Sequence, residues 1–321
     1  MKLTILGTGN AMVTRCYNTC FALGEGEDFL LVDAGGGNGI LRQMADADLS
    51  FSHLHHLFLT HAHTDHLLGV VWVVRAVAEA INKCKYEGEF TVWGHDTALG
   101  VLEPLCRALL PGKLVKHFGT RIPFAEIRPG DQLRCLGMEL TIIDIISTKA
   151  KQYGFRAVLP DGQVLTCLGD EPCNPACFDF ARDADWLLTE AFCLYEDSDT
   201  FKPYEKHHST ALDAAKMAAE LGVKNLVLYH TEDKTIATRK QRYTAEAQSA
   251  FSGPVYVPED LETIELKKNS SPSRTAVFMS AYKNSSAFAL GRLQRKWAAS
   301  RRITTIRLPP ISMAAVSFHS R

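Results

Sequence analysis

The sequence predicts an α/β protein. Short apolar runs with β-branched or aromatic residues alternate with longer helical patterns, and most runs are closed by Gly, Asp, Asn or Pro. Several runs also end on residue types that bind metals, as expected where functional groups collect at strand ends. The 321 residues are 46% hydrophobic and 22% charged, which is the composition of a globular chain able to bury a substantial core.

Strands are predicted at Lys2–Leu6, Phe29–Val32, Leu57–Thr60, Phe90–Trp93, Leu140–Ile146, Val164–Leu168, Trp186–Thr189, Asn225–Tyr229 and Val255–Val257. Helices are predicted at Leu68–Ile81, Thr97–Leu110 and Leu212–Leu221. The last has the best-marked ends. Thr210 and Asp213 form a capping-box-like start, with Asp in place of Glu, and Gly222 suits the position after the helix. The longest mainly apolar run, Leu67–Ile81, contains Arg75 and Glu79 and is too short to cross a bilayer. Residues Met1 to Gly7 lack the apolar region and cleavage site of a signal peptide, so the cytoplasm is the expected compartment. Nine scattered cysteines suit free thiols better than a disulfide framework.

The net charge of −1 hides an asymmetry. Eleven of the 35 basic residues and none of the 36 acidic ones fall within residues 267–321, which leaves the rest with an excess of 12 acidic groups. The sequence therefore divides into a domain over 1–266 and a basic tail over 267–321, expected to be flexible. An acidic body discourages a sequence-independent grip on nucleic acid, which relies on Lys and Arg to neutralise phosphates.

The sharpest chemical signal is Thr60-His61-Ala62-His63-Thr64-Asp65-His66, directly after a strand. Three imidazoles and a carboxylate within six residues suit zinc, manganese or iron, and the pattern is far more restrictive than a lone histidine on a solvated turn. His53, His55 and His56 lack such spacing and are expected to be structural or surface residues. Two further strands run into Gly169-Asp170 and His230. Alone, these would be a turn former and a loop histidine; beside the cluster they become candidate ligands. His208 precedes the capped helix, near unpaired N–H groups that favour an anion, and is placed to protonate a leaving oxygen. Glu190, at the end of another strand, could orient it. Gly7-Thr8-Gly9 and Asp33-Ala34-Gly35-Gly36-Gly37 lack the remaining residues of a dinucleotide or P-loop fingerprint and read as tight turns.

Taken in order, Leu6-Gly7-Thr8-Gly9-Asn10, Leu31-Val32-Asp33-Ala34-Gly35-Gly36-Gly37, the histidine cluster, Gly169-Asp170, Glu190-Ala191-Phe192, His208-Ser209-Thr210-Ala211 and His230 resemble the metallo-β-lactamase-fold hydrolases, in their ribonuclease Z-like phosphodiesterase branch. The resemblance covers about residues 1–266 and implies a four-layer αββα sandwich with metals between the sheet edges. It implies two divalent ions, zinc first and manganese or iron as alternatives. His61 and His63 would bind one, Asp65, His66 and His230 the other, and Asp170 would bridge them. The ions would ionise a shared water, Asp65 would help orient it, and His208, backed by Glu190, would be the general acid.

Two departures shape the expectation. The span from Ser147 to Gly169 must hold a turn at Pro160-Asp161-Gly162 and a strand, so it leaves no room for the protruding arm with which tRNA-processing relatives grip RNA. That favours a small or cyclic phosphodiester over RNA. In addition, the family's third-motif histidine aligns with Ile146, which predicts a weak His61/His63 site. Competing readings are RNA processing, lactone or thioester hydrolysis, and a degenerate metal-binding protein with low turnover. A homodimer is a further expectation, since relatives are often dimers.

Overall fold

The structure is a computed structural model that describes residues 1–267. Apart from Lys267, the predicted basic tail lies outside the described residues.

The first half runs β1 (Lys2–Gly7), β2 (Cys20–Glu25), β3 (Asp28–Val32), α1 (Gly39–Asp46), β4 (Leu54–Phe58), α2 (Thr64–Asn82), β5 (Thr91–Gly94), α3 (Asp96–Leu109), α4 (Gly112–Val115) and β6 (Phe124–Glu126). The second half continues with β7 (Gln132–Cys135), β8 (Met138–Asp144), β9 (Tyr153–Val158), β10 (Val164–Cys167), α5 (Phe178–Ala181), β11 (Trp186–Glu190), α6 (Ser198–Phe201), α7 (Ala211–Glu220), β12 (Asn225–Tyr229), α8 (Ile236–Gln248) and β13 (Val255–Tyr256). A last strand, β14 (Thr263–Glu265), returns to pair antiparallel with β1. Two seven-stranded sheets result, in the orders β14-β1-β2-β3-β4-β5-β6 and β13-β12-β11-β10-β9-β8-β7.

The layering follows from side-chain alternation. Leu3, Ile5, Leu30, Val32 and Phe58 face Leu140, Ile142, Phe155, Leu165 and Leu188 in the core between the sheets. Their neighbours Leu6, Phe29 and Leu31 point outward into a core shared with Val70, Val74 and Leu102 of α2 and α3. On the far side, Leu187, Leu226 and Leu228 pack beneath Ala214, Ala218 and Tyr243 of α7 and α8. Both faces of the inner strands are covered, so these strands read as continuous apolar runs. The predicted αββα sandwich is the observed one.

Strand pairing decides where the site lies. Strands β3, β4, β5 and β6 are parallel, and so are β10, β11, β12 and β13. Their carboxyl ends deliver Asp33, His61, Asp170, Glu190 and His230, the placement expected of an α/β functional edge. Among the described residues no helix is long and apolar enough to cross a membrane. All nine cysteines are free, including the Cys16/Cys20 and Cys173/Cys177 pairs.

Candidate metal centre

The turn after β4 carries His61 and His63, and α2 begins at once, with His63 as its N-cap and Asp65 in its first turn. A carboxylate there is favoured by the exposed N–H groups and the positive helix end. Asp33, at the end of β3, holds this segment in place. One of its oxygens accepts the Thr60 backbone N–H at 2.8 Å, and the other accepts the Thr60 hydroxyl at 2.7 Å and His66 Nδ1 at 2.6 Å. The approach requires Gly69. Its N–H donates to the Gly35 carbonyl at 2.8 Å, and a Cβ there would collide with the Ala34 carbonyl.

Asp170 is the hub. Its Oδ2 lies 3.7 Å from His61 Nε2, 3.8 Å from His66 Nε2 and 3.6 Å from His230 Nε2. Three donor groups have their atoms within 4.8 Å of one another, His61/His63/Asp170, Asp65/His66/His230 and Asp33/His61/His66, and in the last Asp33 already holds His66 Nδ1. The other ring nitrogens are occupied: His230 Nδ1 meets Thr19 Oγ1 at 3.1 Å, and His61 Nδ1 meets Thr60 Oγ1 at 2.9 Å. Such outer contacts fix the tautomer and turn each Nε2 inward.

These residues fit a divalent ion. Asp170 Oδ1 and His66 Nε2 are buried and have no hydrogen-bond partner. Orphaned polar atoms of this kind are costly unless something satisfies them. A cation would satisfy both, and a mixed imidazole and carboxylate donor set suits zinc, manganese or iron.

The electrostatics of the donors follow from burial and from the neighbouring charges. Burial opposes charge on Asp170, yet His61, His230, His66 and Lys149 together hold its carboxyl well below the usual range. Burial likewise works against Asp65, but His66 keeps that carboxyl low. Burial pushes the His61 imidazole well down and brings His230 to about 3, despite Asp170. His66 goes the other way: burial is outweighed by Asp33 and Asp65, which lift it well above its usual value.

His208 stands at the rim, stacked on Phe192 with ring centroids 4.6 Å apart. Its Nδ1 is 3.6 Å from Glu190 Oε2 and has no hydrogen-bond partner. The fully buried Glu190 carboxylate is instead bound by the backbone N–H and hydroxyl of Ser209, at 2.6 and 2.7 Å, and by the Phe192 N–H at 3.1 Å. Glu190 thus anchors the segment carrying His208 as much as it faces the ring. The capping box of Thr210 and Asp213 completes the start of α7, as predicted.

Comparison with known proteins places this geometry. The family described as Anti-Pycsar protein Apyc1 matches residues 1–247. The chain belongs to this family. It is also similar to a ribonuclease Z of Myxococcus xanthus, 28% identical over 307 residues, spanning 83% of this chain and 98% of that protein. A ribonuclease Z of Nanoarchaeum equitans is 27% identical, spanning 82% and 93%. Among solved structures, the metallo-β-lactamase-fold protein YhfI of Bacillus subtilis superposes with a TM-score of 0.66 at 20% identity, covering 82% of this chain and 98% of its own. The short form of human tRNase Z gives 0.63 at 18%, covering 83% and 100%. The fold is that of the metallo-β-lactamases, and the protein is a ribonuclease Z-like, metal-dependent hydrolase.

In this Apyc1-family chain the structure brings together His61, His63, Asp65, His66, Asp170 and His230. One expectation needs correction. Ile146 is 49% exposed and does not line the cavity over the site. The strand ends at Asp144, whose Oδ1 accepts the Ile146 N–H at 2.9 Å, and Ile146 takes a left-handed conformation with φ 57°. Strand alternation therefore stops short of it. The residue of this loop that lines the cavity is Lys149. Sequence reasoning also missed Asp33, read only as part of a glycine-rich turn. A carboxylate ending a strand beside the histidine strand was the available signal.

Proposed function

We propose that the protein is a phosphodiesterase acting on a small or cyclic phosphodiester. The observation that carries this reading is the cavity over Asp65, Asp170, His208 and His230. It encloses about 330 Å³ and joins an apolar wall, including Phe192 and Phe201, to Lys149, Lys206 and Lys234, with Glu232 and Asp233 as counter-charges in the same lining. Its size suits a small molecule, and its cations suit an anionic one. The span 147–169 is taken up by a short loop and the β9–β10 hairpin, in keeping with a substrate that needs no long gripping arm.

Asp65, His66, His230 and Asp170 would hold a divalent ion, and His61 and His63 offer a second position beside Asp170. Such an ion supplies Lewis-acid charge and a water that ionises near neutral pH. The protein's own groups do the rest. Asp65 orients the attacking water, and the lysines hold the phosphoryl oxygens. His208 Nε2, turned away from Glu190, delivers a proton to the leaving oxygen. Free thiols throughout accord with a cytoplasmic setting. We also assign residues 1–266 to the hydrolase domain, with 267–321 appended to it.

A second reading, RNA cleavage, is favoured by the relatives named ribonuclease Z. Zinc- or manganese-loaded full-length protein, assayed on bis-p-nitrophenyl phosphate, cyclic nucleotides, a precursor tRNA and a lactone, separates these readings. Turnover of small diesters is expected. Cleavage of tRNA alone or of lactone alone overturns the proposal, and metal binding without turnover marks a degenerate protein.

A further inference from the structure

The two sheets are tied together behind the histidine turn. Tyr153 opens β9 of the second sheet, and its N–H donates at 3.0 Å to the carbonyl of Thr60, just after β4 of the first. That bond brings the preceding residue, Gln152, against the metal centre. Gln152 is 1% exposed, so its amide has to find partners inside the protein. Its backbone carbonyl accepts the Ile145 N–H at 3.2 Å, and its side-chain nitrogen stands 3.2 Å from His61 Nδ1. Gly169, the residue before Asp170, leaves room for the amide: a Cβ there would come within 2.5 Å of Gln152 Nε2. One side chain thus lies against both the first histidine of the cluster and the backbone that leads into Asp170.

Thr60 settles which nitrogen of His61 carries the proton. Its hydroxyl donates to Asp33 Oδ2 at 2.7 Å, so toward His61 Nδ1, 2.9 Å away, it can only accept. The imidazole proton therefore sits on Nδ1, and Nε2 keeps the lone pair that a metal needs. An amide N–H has nothing to offer a ring N–H. A half-turn of the Gln152 amide exchanges its oxygen and nitrogen and makes it a second acceptor for the same proton. The two acceptors differ mechanically. Thr60 neighbours His61 in the chain and moves with the turn, whereas Gln152 reaches it from the other sheet.

We propose that Gln152 is a positioning residue of the metal centre: its amide accepts the His61 Nδ1 proton and aims Nε2 at the ion of the His61/His63/Asp170 group. This rests on the metal positions described above and not on which ester is cleaved, and its test needs no turnover. Metal-free full-length protein is titrated with zinc by calorimetry. Two binding steps are expected in the natural protein, and the step that His63→Ala weakens more belongs to the His61/His63/Asp170 group. Gln152→Leu should weaken that step by about 10- to 100-fold, the range typical when a ligating histidine loses the partner of its other nitrogen. The other step should stay close to its natural value. Gln152→Glu keeps an acceptor at the same place and should hold zinc at least as tightly as the natural protein. If Gln152→Leu does not fold, Gln152→Asn, one methylene too short to reach Nδ1, carries the same expectation. A single step in the natural protein, no weakening in the Leu or Asn variant, equal weakening of both steps, or a loss in Gln152→Glu as large as in Gln152→Leu overturns the proposal. If the expected pattern holds while no phosphodiester is hydrolysed, the phosphodiesterase reading alone fails.

Discussion

The two halves of the metal centre share Asp170 but are built differently. Asp65 and His66 sit on the first turn of α2, His230 ends β12, and Asp170 follows β10. Three separate elements hold these four donors, and His66 and His230 are fixed from behind by Asp33 and Thr19. The other half draws both its histidines from one turn. His61 is buried against Thr60, whereas His63 is half-buried and its ring faces His61. Donors anchored on several strand ends are preorganised by the whole sandwich, while donors on one turn depend on each other. The first half should therefore dominate metal retention and activity.

The contrast is tested most severely by comparing His230→Ala with His63→Ala. The first substitution removes a donor from the anchored half, and the zinc-titrated variant is expected to lose its ion and its turnover. His63→Ala should keep its metal and show a smaller loss of activity. Equal metal loss in both variants would show that the halves are not separable.

Next in size is His208. His208→Ala should lower kcat by about 10²- to 10⁴-fold, the contribution of a positioned general acid, with metal content unchanged. The loss should shrink for p-nitrophenolate, a leaving group that needs little protonation. An equal loss on good and poor leaving groups would deny His208 the acid's role.

A milder effect is expected at Asp33, which touches the anchored half through His66 and the other half through Thr60, the partner of His61. Asp33→Ala should weaken zinc binding by about 10- to 100-fold, the usual cost of losing an outer contact to a ligating histidine. Competition with a metal-sensing dye measures this directly. Unchanged affinity would mean that α2 alone positions His66.

What could be read from sequence divides along the same physical line. The His61–His66 run is local, so spacing alone revealed it, and the capping box at Thr210 and Asp213 is local as well. Asp170 and His230 were legible because each ends an apolar strand. The predicted strands near Phe29, Val164, Trp186 and Asn225 are observed for the same reason. Elements stabilised by distant partners gave weaker signals. β14 is three residues long and is defined by pairing with β1 across the whole described chain. α8 buries only Arg239, Tyr243 and Ala247, which leaves little apolar period to detect. Lys149 carries no local mark, because its place is set by Glu171, 22 positions later.

The smallest expected effect is at Ile146, and it tests where the loop departs from the strand. If β8 continued its alternation, Ile146 would share a face with Asp144 and Ile142, and a histidine there would add a donor to the His61/His63 half. The backbone turns first. Asp144 Oδ1 captures the Ile146 N–H, the residue adopts φ 57°, and its side chain is left half exposed. A non-glycine residue in this region already bears backbone strain, and histidine accepts it better than a β-branched residue does. Ile146→His should therefore fold at least as well as the natural chain and hold the same metal content, with the same turnover on small diesters. A rise in metal stoichiometry would show that the imidazole reaches the His61/His63 half after all, and that the unequal donor count can be repaired from this position.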